Sequence, residues 1–131
     1  MVEVLAASLA QPRLRVLVIE DHRDSADCLQ MLLSLLGYEV RVAYDGLDGV
    51  KKATEWAAEV IISDIGLPGL DGFGVARELR QHPATAKARL IAVTGYGGEE
   101  NRQRALGSGF DFHLTKPADP AALQKLLTKN P

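Results

Sequence analysis

With 131 residues, of which 47% are apolar and 24% charged, the chain has the composition of a soluble globular protein with one compact domain. Its net charge of −2 leaves no basic surface on which nucleic-acid binding would depend. The single cysteine, Cys28, excludes disulfides within the chain and any multi-cysteine metal site, which indicates a reducing, cytoplasmic environment.

Residues 1–13 are interpreted as a short tail ahead of a domain that covers residues 14–131. The segment Val2–Ala10 is mildly apolar, but Glu3 interrupts it and no basic residues precede it. It is far shorter than a membrane span, so we expect no membrane anchor. Because the last helical pattern runs to the C-terminus, we expect a complete, stand-alone domain without a second, output domain.

The first half of the chain alternates between strand and helix patterns. The continuous apolar run Leu14–Ile19 is typical of a strand that is buried on both faces. Asp24 is the predicted N-cap of a helix that extends to about Leu36. The polar and apolar residues of Glu39–Ala43 alternate, which favours a half-exposed edge strand. A second helix is predicted to begin at Asp45.

The second half continues the same alternation. Val60–Ser63 is the next predicted buried strand, and the Gly- and Pro-rich segment Ile65–Gly72 is a shaped loop. The later predicted elements are a helix at Phe73–Gln81, a strand at Leu90–Val93, a helix at Glu99–Leu106, a strand at Phe110–Leu114, and a last helix with Asp119 as N-cap and Pro120 as first residue.

Five strands and five helices in strict alternation predict an α/β fold. The strands of such a chain form a parallel sheet with helices on both faces, joined by right-handed crossovers.

Polar residues follow four of these predicted strands. Glu20 and Asp21 come after the first strand, Asp64 after the third, Thr94 after the fourth and Lys116 after the fifth. In an open α/β sheet the carboxyl edge, where these residues would gather, is where ligands bind. The three carboxylates predict a divalent-metal site, and the lysine and hydroxyl predict a site for a phosphoryl group.

The chemistry of these residue types suggests a role for each. Mg²⁺ prefers about six oxygen ligands and keeps some waters, so Asp21, Asp64 and a loop carbonyl could bind it directly while Glu20 acts through water. Asp64 is also the candidate nucleophile, since a carboxylate can accept a phosphoryl group. Lys116 would neutralise phosphoryl charge, and the Thr94 hydroxyl would donate a hydrogen bond.

Each residue also has an ordinary structural interpretation when it is taken alone. An acid after a strand is commonly a helix cap, a Lys-Pro pair is commonly a turn, and Thr94 could satisfy a nearby backbone group. These interpretations do not explain why all of them fall at one end of successive strands. Cys28 lies among leucines of a predicted helix, which favours a packing role. His22, His82 and His113 do not have the spacing of a metal-ligand set.

From about Leu14 to Leu127, the chain resembles the receiver domain of bacterial two-component response regulators, most closely those that work with hybrid histidine kinases. The residues that carry the resemblance are Glu20-Asp21, Asp64 with Leu67-Pro68 and Asp71-Gly72 behind it, Thr94, and Lys116-Pro117.

The resemblance implies a flavodoxin-like, doubly wound sheet with strand order 2-1-3-4-5. It implies that Asp64 accepts a phosphoryl group from a histidine kinase or a histidine phosphotransfer domain, with Mg²⁺ as cofactor. Asp21, Asp64 and the carbonyl of Gly66 would be the direct metal ligands, and Lys116-Pro117 would be a cis peptide.

Such a domain is a phosphoacceptor switch and not an enzyme. The helix starting at Asp24 would dock the donor. The fourth helix, fifth strand and fifth helix would form the output surface for an unknown downstream protein, with no nucleic acid or membrane as partner.

The chain departs from the family at two positions. His113 stands where the family usually has a Tyr or Phe that acts as a rotameric switch, and Gly95 stands where alanine is common. Burying an imidazole without a polar partner costs free energy. We therefore predict that, on phosphorylation, Thr94 moves while His113, as a switch candidate, stays outward or swings inward only with a hydrogen-bond partner. The alternative is that His113 is simply a surface residue of the output face.

Three other functions remain as alternatives. A Mg²⁺-dependent phosphatase with an aspartyl nucleophile normally has a second aspartate two residues later, where this chain has Gly66. A flavin-binding module needs a phosphate-cradling loop where this chain has Glu20-Asp21. A degenerate receiver that acts only as a protein-interaction module is disfavoured by the intact set of acids.

Overall fold

Five parallel strands alternate with five helices in residues 13–95 and 97–128, the part of the chain that this computed structural model describes. The sheet order is β2-β1-β3-β4-β5, the flavodoxin-like arrangement that the resemblance implied. The strands are β1 (Arg15–Ile19), β2 (Glu39–Ala43), β3 (Val60–Asp64), β4 (Arg89–Thr94) and β5 (Phe112–Thr115). The helices are α1 (Arg23–Leu35), α2 (Gly46–Trp56), α3 (Gly72–Gln81), α4 (Glu99–Ser108) and α5 (Pro120–Thr128).

The burial of each strand follows its predicted pattern. The apolar strands β1 and β3 lie in the middle of the sheet, where helices cover both faces. Strand β2 lies at one edge, and its Glu39 and Arg41 are exposed while Val40 and Val42 are half-buried. The alternation in β2 therefore indicated the edge position correctly.

Two hydrophobic cores lie on opposite faces of the sheet. Leu33 of α1 and Leu123 of α5 pack with Val16 and Val18 of β1 in one core. The helices α2, α3 and α4 contribute to the other core, which contains Leu17 and Ile19 of β1. Successive side chains of a strand point to opposite faces, so each central strand serves both cores.

Two helices begin differently from the sequence prediction. Helix α1 begins at Arg23, and its N-cap is His22, whose Nδ1 accepts a hydrogen bond from Ser25 N at 3.2 Å. Asp24, the predicted cap, lies inside the first turn, where a negative charge is favourable near the helix N-terminus. Helix α3 begins one residue early, at Gly72, because Asp71 caps it.

The fifth strand begins later than predicted, at Phe112 and not at Phe110. The backbone N–H of Phe110 donates to Ala105 O, which ties residue 110 to the end of α4. The carboxylate of Asp111 accepts hydrogen bonds from Leu90 N and the Arg80 guanidinium, both at 2.9 Å. Because residues 110 and 111 make these other hydrogen bonds, the strand β5 begins only after them.

Cys28 is exposed, so the packing role predicted for it is wrong. The buried residues Ala26 and Leu33 define the stripe of α1 that faces the sheet, with Leu29 partly buried beside it. Cys28 lies outside this stripe because one residue along a helix turns the side chain by about 100°. Residues 1–12 of the predicted tail lie outside the described part of the chain.

Candidate functional site

Three carboxylates meet at the carboxyl edge of the sheet. Glu20 and Asp21 directly follow β1, and Asp64 is the last residue of the neighbouring strand β3. The two strands run parallel with Ile19 opposite Ser63, so their carboxyl ends are adjacent. Each residue offers a carboxylate oxygen, and these oxygens lie within 4.8 Å of one another. The structure therefore brings together the acids that the sequence placed at this edge.

Lys116, which directly follows the edge strand β5, also contacts these acids. Its Nζ donates to Glu20 Oε1 at 2.6 Å and to Asp64 Oδ2 at 2.9 Å. Its backbone N–H donates to Thr94 O at 2.7 Å, which fixes the start of the loop after β5 against the end of β4. The peptide between Lys116 and Pro117 is cis, as the resemblance implied. One ammonium group thus contacts acids from two strands.

Backbone groups hold the remaining oxygens of two carboxylates. His22 N donates to Glu20 Oε2, and Gly66 N donates to Asp64 Oδ1, each at 3.3 Å. A side chain at position 66 would meet no atom within 4 Å, so Gly66 borders open space. Asp64 is thus oriented by Lys116 and by Gly66 N, and it remains only half-buried.

Burial and charge act in opposite directions on the ion pair. Burial raises the pKa of the Glu20 carboxyl, Lys116 lowers it, and the nearby Asp64 carboxylate raises it further, with a net upward shift. Burial lowers the pKa of the Lys116 ammonium, but its hydrogen bonds to both acids outweigh burial and raise it. The charged form of Lys116 is stabilised by two carboxylates. The charged form of Glu20 is stabilised by one ammonium group and loses hydration through burial. The ionised acids are therefore incompletely neutralised.

This donor set fits a hard divalent cation. Oxygen ligands from Glu20, Asp21 and Asp64 are the kind that Mg²⁺ prefers. Asp21 is exposed and Asp64 is only half-buried, so water could complete the coordination. A cation beside these acids would also remove the mutual repulsion that raises the pKa of Glu20.

Thr94 lies beside Asp64 at the same edge. It is the last residue of β4, which pairs with β3 so that Asp64 is opposite Val93. Thr94 is 5% exposed, and its carbonyl accepts the hydrogen bond from Lys116 N. The structure therefore places all of the residues predicted to handle a phosphoryl group around one short stretch of the sheet edge.

The imidazole of His113 is half-buried, and its Nε2 is buried without a hydrogen-bond partner among the described residues. Burial, and then the positive charge of Arg102, lower the pKa of the imidazole. Both effects disfavour the protonated ring. The expected behaviour of His113 concerns the phosphorylated state and stays a prediction.

Sequence reasoning missed two features next to the site. His22 both caps α1 and donates to Glu20, and nothing in the spacing of the histidines signals this role. Met31 and Leu35 on α1 are 66% and 79% exposed. Only the packing of α1 shows that these two side chains face solvent.

A cavity of about 560 Å³ connects the site with α1. Glu20, Asp64 and Lys116 line one side of it, and Cys28 and Leu29 of α1 line another. A molecule that reaches the acids through this cavity therefore passes α1. Among the described residues, no helix is long and apolar enough to span a membrane.

Comparison with known proteins gives a consistent result. The family model for the response regulator receiver domain matches residues 16–128. An uncharacterized 14.6 kDa protein from the sodA1 3′ region of Leptolyngbya boryana is 36% identical over 112 residues, which cover 86% of each chain. The sensor histidine kinase RcsC of Salmonella typhi is 33% identical over 112 residues, which are 86% of this chain but 12% of the kinase.

A solved structure is similar in fold and in sequence. The receiver domain of sensor histidine kinase PA1611 from Pseudomonas aeruginosa has a TM-score of 0.81 and 30% identity, over 88% of this chain and 95% of that one. In that structure a magnesium ion is coordinated in the active site cleft. The site of that relative thus has the chemistry for which the acids of this chain are suited.

Replacing Glu20 with glutamine tests the electrostatics of the site. The fold raises the pKa of this carboxyl above its ordinary value of 4.5, so the native state binds the proton more tightly than the unfolded state. The contribution of Glu20 to the free energy of unfolding is complete below pH 4.5 and is lost as the pH rises through the folded pKa. In metal-free buffer, the free energy of unfolding of wild type relative to Glu20→Gln should fall over that window.

Urea unfolding of both proteins at a series of pH values measures this difference. Asp24→Asn, which removes an exposed acid from the first turn of α1, is the matched control and should not reproduce the trend. A free energy of unfolding of wild type that rises, relative to that of Glu20→Gln, as the pH increases would contradict the assignment.

Proposed function

The chain belongs to the response regulator receiver domain family, and we propose that it is the phosphoacceptor switch of a two-component phosphorelay, with Asp64 as the acceptor. One observation carries the proposal. Asp64 accepts from Lys116 at 2.9 Å and belongs to the cluster of three acids, and it is half-buried where Glu20, the other partner of Lys116, is buried. Nucleophile, metal ligands and a cation for the phosphoryl charge thereby share one site.

The proposed reaction is transfer from a phosphohistidine to Asp64. A carboxylate oxygen of Asp64 forms a bond to phosphorus as the phosphorus–nitrogen bond breaks, and the imidazole nitrogen leaves with the electron pair. Lys116 neutralises negative charge on the phosphoryl group, and the Thr94 hydroxyl donates to one of its oxygens. Gly66, two residues after Asp64, borders open space and has no side chain to hinder the incoming group.

Mg²⁺ is the proposed cofactor. Asp21, Asp64 and the carbonyl of Gly66 would bind it directly, and Glu20 would act through water. When bound, the ion would neutralise charge on the phosphoryl oxygens. Because Lys116 already contacts Glu20 and Asp64, both acids are held at the edge before any ion binds.

The donor is proposed to dock on α1. A histidine kinase or histidine phosphotransfer domain must bring its imidazole to the acids, and the cavity beside them is bounded by α1. Met31 and Leu35 give this helix an exposed apolar surface, which favours contact with another protein. The face formed by α4, β5 and α5 would then contact a downstream protein.

A Mg²⁺-dependent phosphatase remains the alternative. It would use the same nucleophile but would need a general acid to protonate the leaving group. Position 66, where such enzymes carry that acid, is a glycine, which has no side chain to act as a general acid. Turnover of a small phosphate ester by the purified protein would favour the phosphatase.

Asp64→Asn should abolish phosphorylation. The amide is a poor nucleophile and removes one metal ligand, so incubation with acetyl phosphate and Mg²⁺ should add no phosphoryl group. Mass spectrometry of the intact protein measures the gain. Wild type and the control Asp24→Asn should each gain one phosphoryl group, and an equal gain in Asp64→Asn would rule out this acceptor.

Asp21→Asn should weaken Mg²⁺ binding by about tenfold or more, since even the loss of groups that only support metal ligands has effects of that size. A titration followed by NMR amide shifts of residues 64–66 measures the affinity. Asp24→Asn makes the same change of charge three residues after Asp21, outside the cluster of acids, and should bind Mg²⁺ nearly as wild type does. Equal affinities in the two variants would count against Asp21 as a ligand.

Leu35→Lys should slow transfer from a protein donor but not from acetyl phosphate. A lysine on this exposed surface leaves the fold and the acids intact while it disrupts an apolar contact with the donor. Radiolabel transfer from a phosphorylated histidine kinase or phosphotransfer domain is compared with phosphorylation by acetyl phosphate. Leu47→Lys is the control, because Leu47 is 69% exposed but lies on α2, away from α1. Equal slowing by both variants would place the donor elsewhere.

A further inference from the structure

His113 lies in the middle of β5 with its ring on the α4 side of the sheet. Its neighbours Phe112 and Leu114 pack into the core of α1 and α5, and successive strand residues point to opposite faces. Opposite it on β4 is Ala92, which belongs to the other core. In this place its Nε2 is buried and lacks a hydrogen-bond partner among the described residues.

The surroundings of the ring disfavour a positive charge. From α4 the charged group that acts on it is Arg102, which has the same sign as a protonated imidazole. From β4 the residue opposite is Ala92, and the flanking residues of β5 are apolar. Among these neighbours no carboxylate is present to accept from a protonated ring, which would have two N–H donors to satisfy.

Helix α4 is weakly anchored over this position. Ala105 is its only buried residue in the described structure, and its N-cap, Gly98, makes no side-chain capping bond. The segment before it contains Gly95, Gly97 and Gly98, and Gly98 has a φ of 103°. A helix with so little buried surface can shift at low cost, because burial of apolar side chains is the main source of helix stability in proteins.

We propose that protonation of His113 moves its ring out toward solvent and shifts α4 on β5, so that the α4–β5 face is a pH-sensitive surface. The protonated ring gains water as a partner for both nitrogens and moves away from Arg102. In the neutral protein the ring returns to its buried place. This shift of α4 does not require phosphorylation, because it takes place in the metal-free, unphosphorylated protein.

The direction of the effect follows from the shift of the imidazole. The folded protein lowers the pKa of His113 below its ordinary value of 6.5, so the buried arrangement binds the proton less tightly than a solvated ring does. The contribution of this buried arrangement to the free energy of folding is complete above pH 6.5 and is lost as the pH falls through the folded pKa of His113. The shift of α4 therefore occurs on acidification.

NMR spectroscopy of the full chain tests the proposal between about pH 5 and pH 8. The imidazole resonances of His113 and the backbone amides of residues 99–108 are followed together. In wild type we expect the α4 amides to shift with the same midpoint as the ring, and that midpoint to lie below 6.5. Amides of α4 that stay unchanged while the ring titrates would overturn the proposal.

Three variants locate the effect. His113→Phe should abolish the pH-dependent shift of α4. His82→Gln, which removes an exposed histidine at the end of α3, should retain it. Arg102→Gln changes a half-exposed side chain on the surface of α4 and should raise the midpoint by removing the repulsion. A shift that persists in His113→Phe, or an unchanged midpoint in Arg102→Gln, would each overturn the proposal.

Discussion

The contact of one ammonium group with two acids organises the functional end of this protein. Lys116 contacts Glu20 and Asp64, which follow and end different strands, and its backbone is fixed to Thr94 on the strand between. A lysine can reach both acids only if the ends of β1, β3, β4 and β5 lie at one edge. The parallel sheet with order β2-β1-β3-β4-β5 provides that arrangement.

The same contact leaves the site short of positive charge. One lysine faces the three carboxylates of the cluster, and the pKa of Glu20 is raised first by burial and then by the neighbouring Asp64 carboxylate. A site in this condition favours a second cation, because the cation relieves repulsion that the fold has already imposed. The electrostatic cost of assembling the acids and the affinity for a divalent ion therefore have one cause.

Helices α1 and α4, on opposite faces of the sheet, differ in how they are held. Helix α1 packs into a core with α5 and still exposes Met31 and Leu35, so it offers an apolar surface on a helix that also lines the cavity at the acids. Helix α4 is mostly polar and buries only Ala105 among its described residues. A firmly held helix suits the docking of a donor, while a loosely held one suits a surface that must change.

The sequence by itself determined the alternation of strands and helices and the positions of the acids, Thr94 and Lys116 at strand ends. These follow from local patterns: apolar runs such as Val60–Ser63 and caps such as Asp119 depend on neighbours a few residues away. Only the tertiary structure decided that Lys116 contacts Glu20, 96 positions earlier, that Cys28 is exposed, and that Nε2 of His113 is buried without a partner among the described residues. These features depend on how elements pack, and no local pattern contains that information.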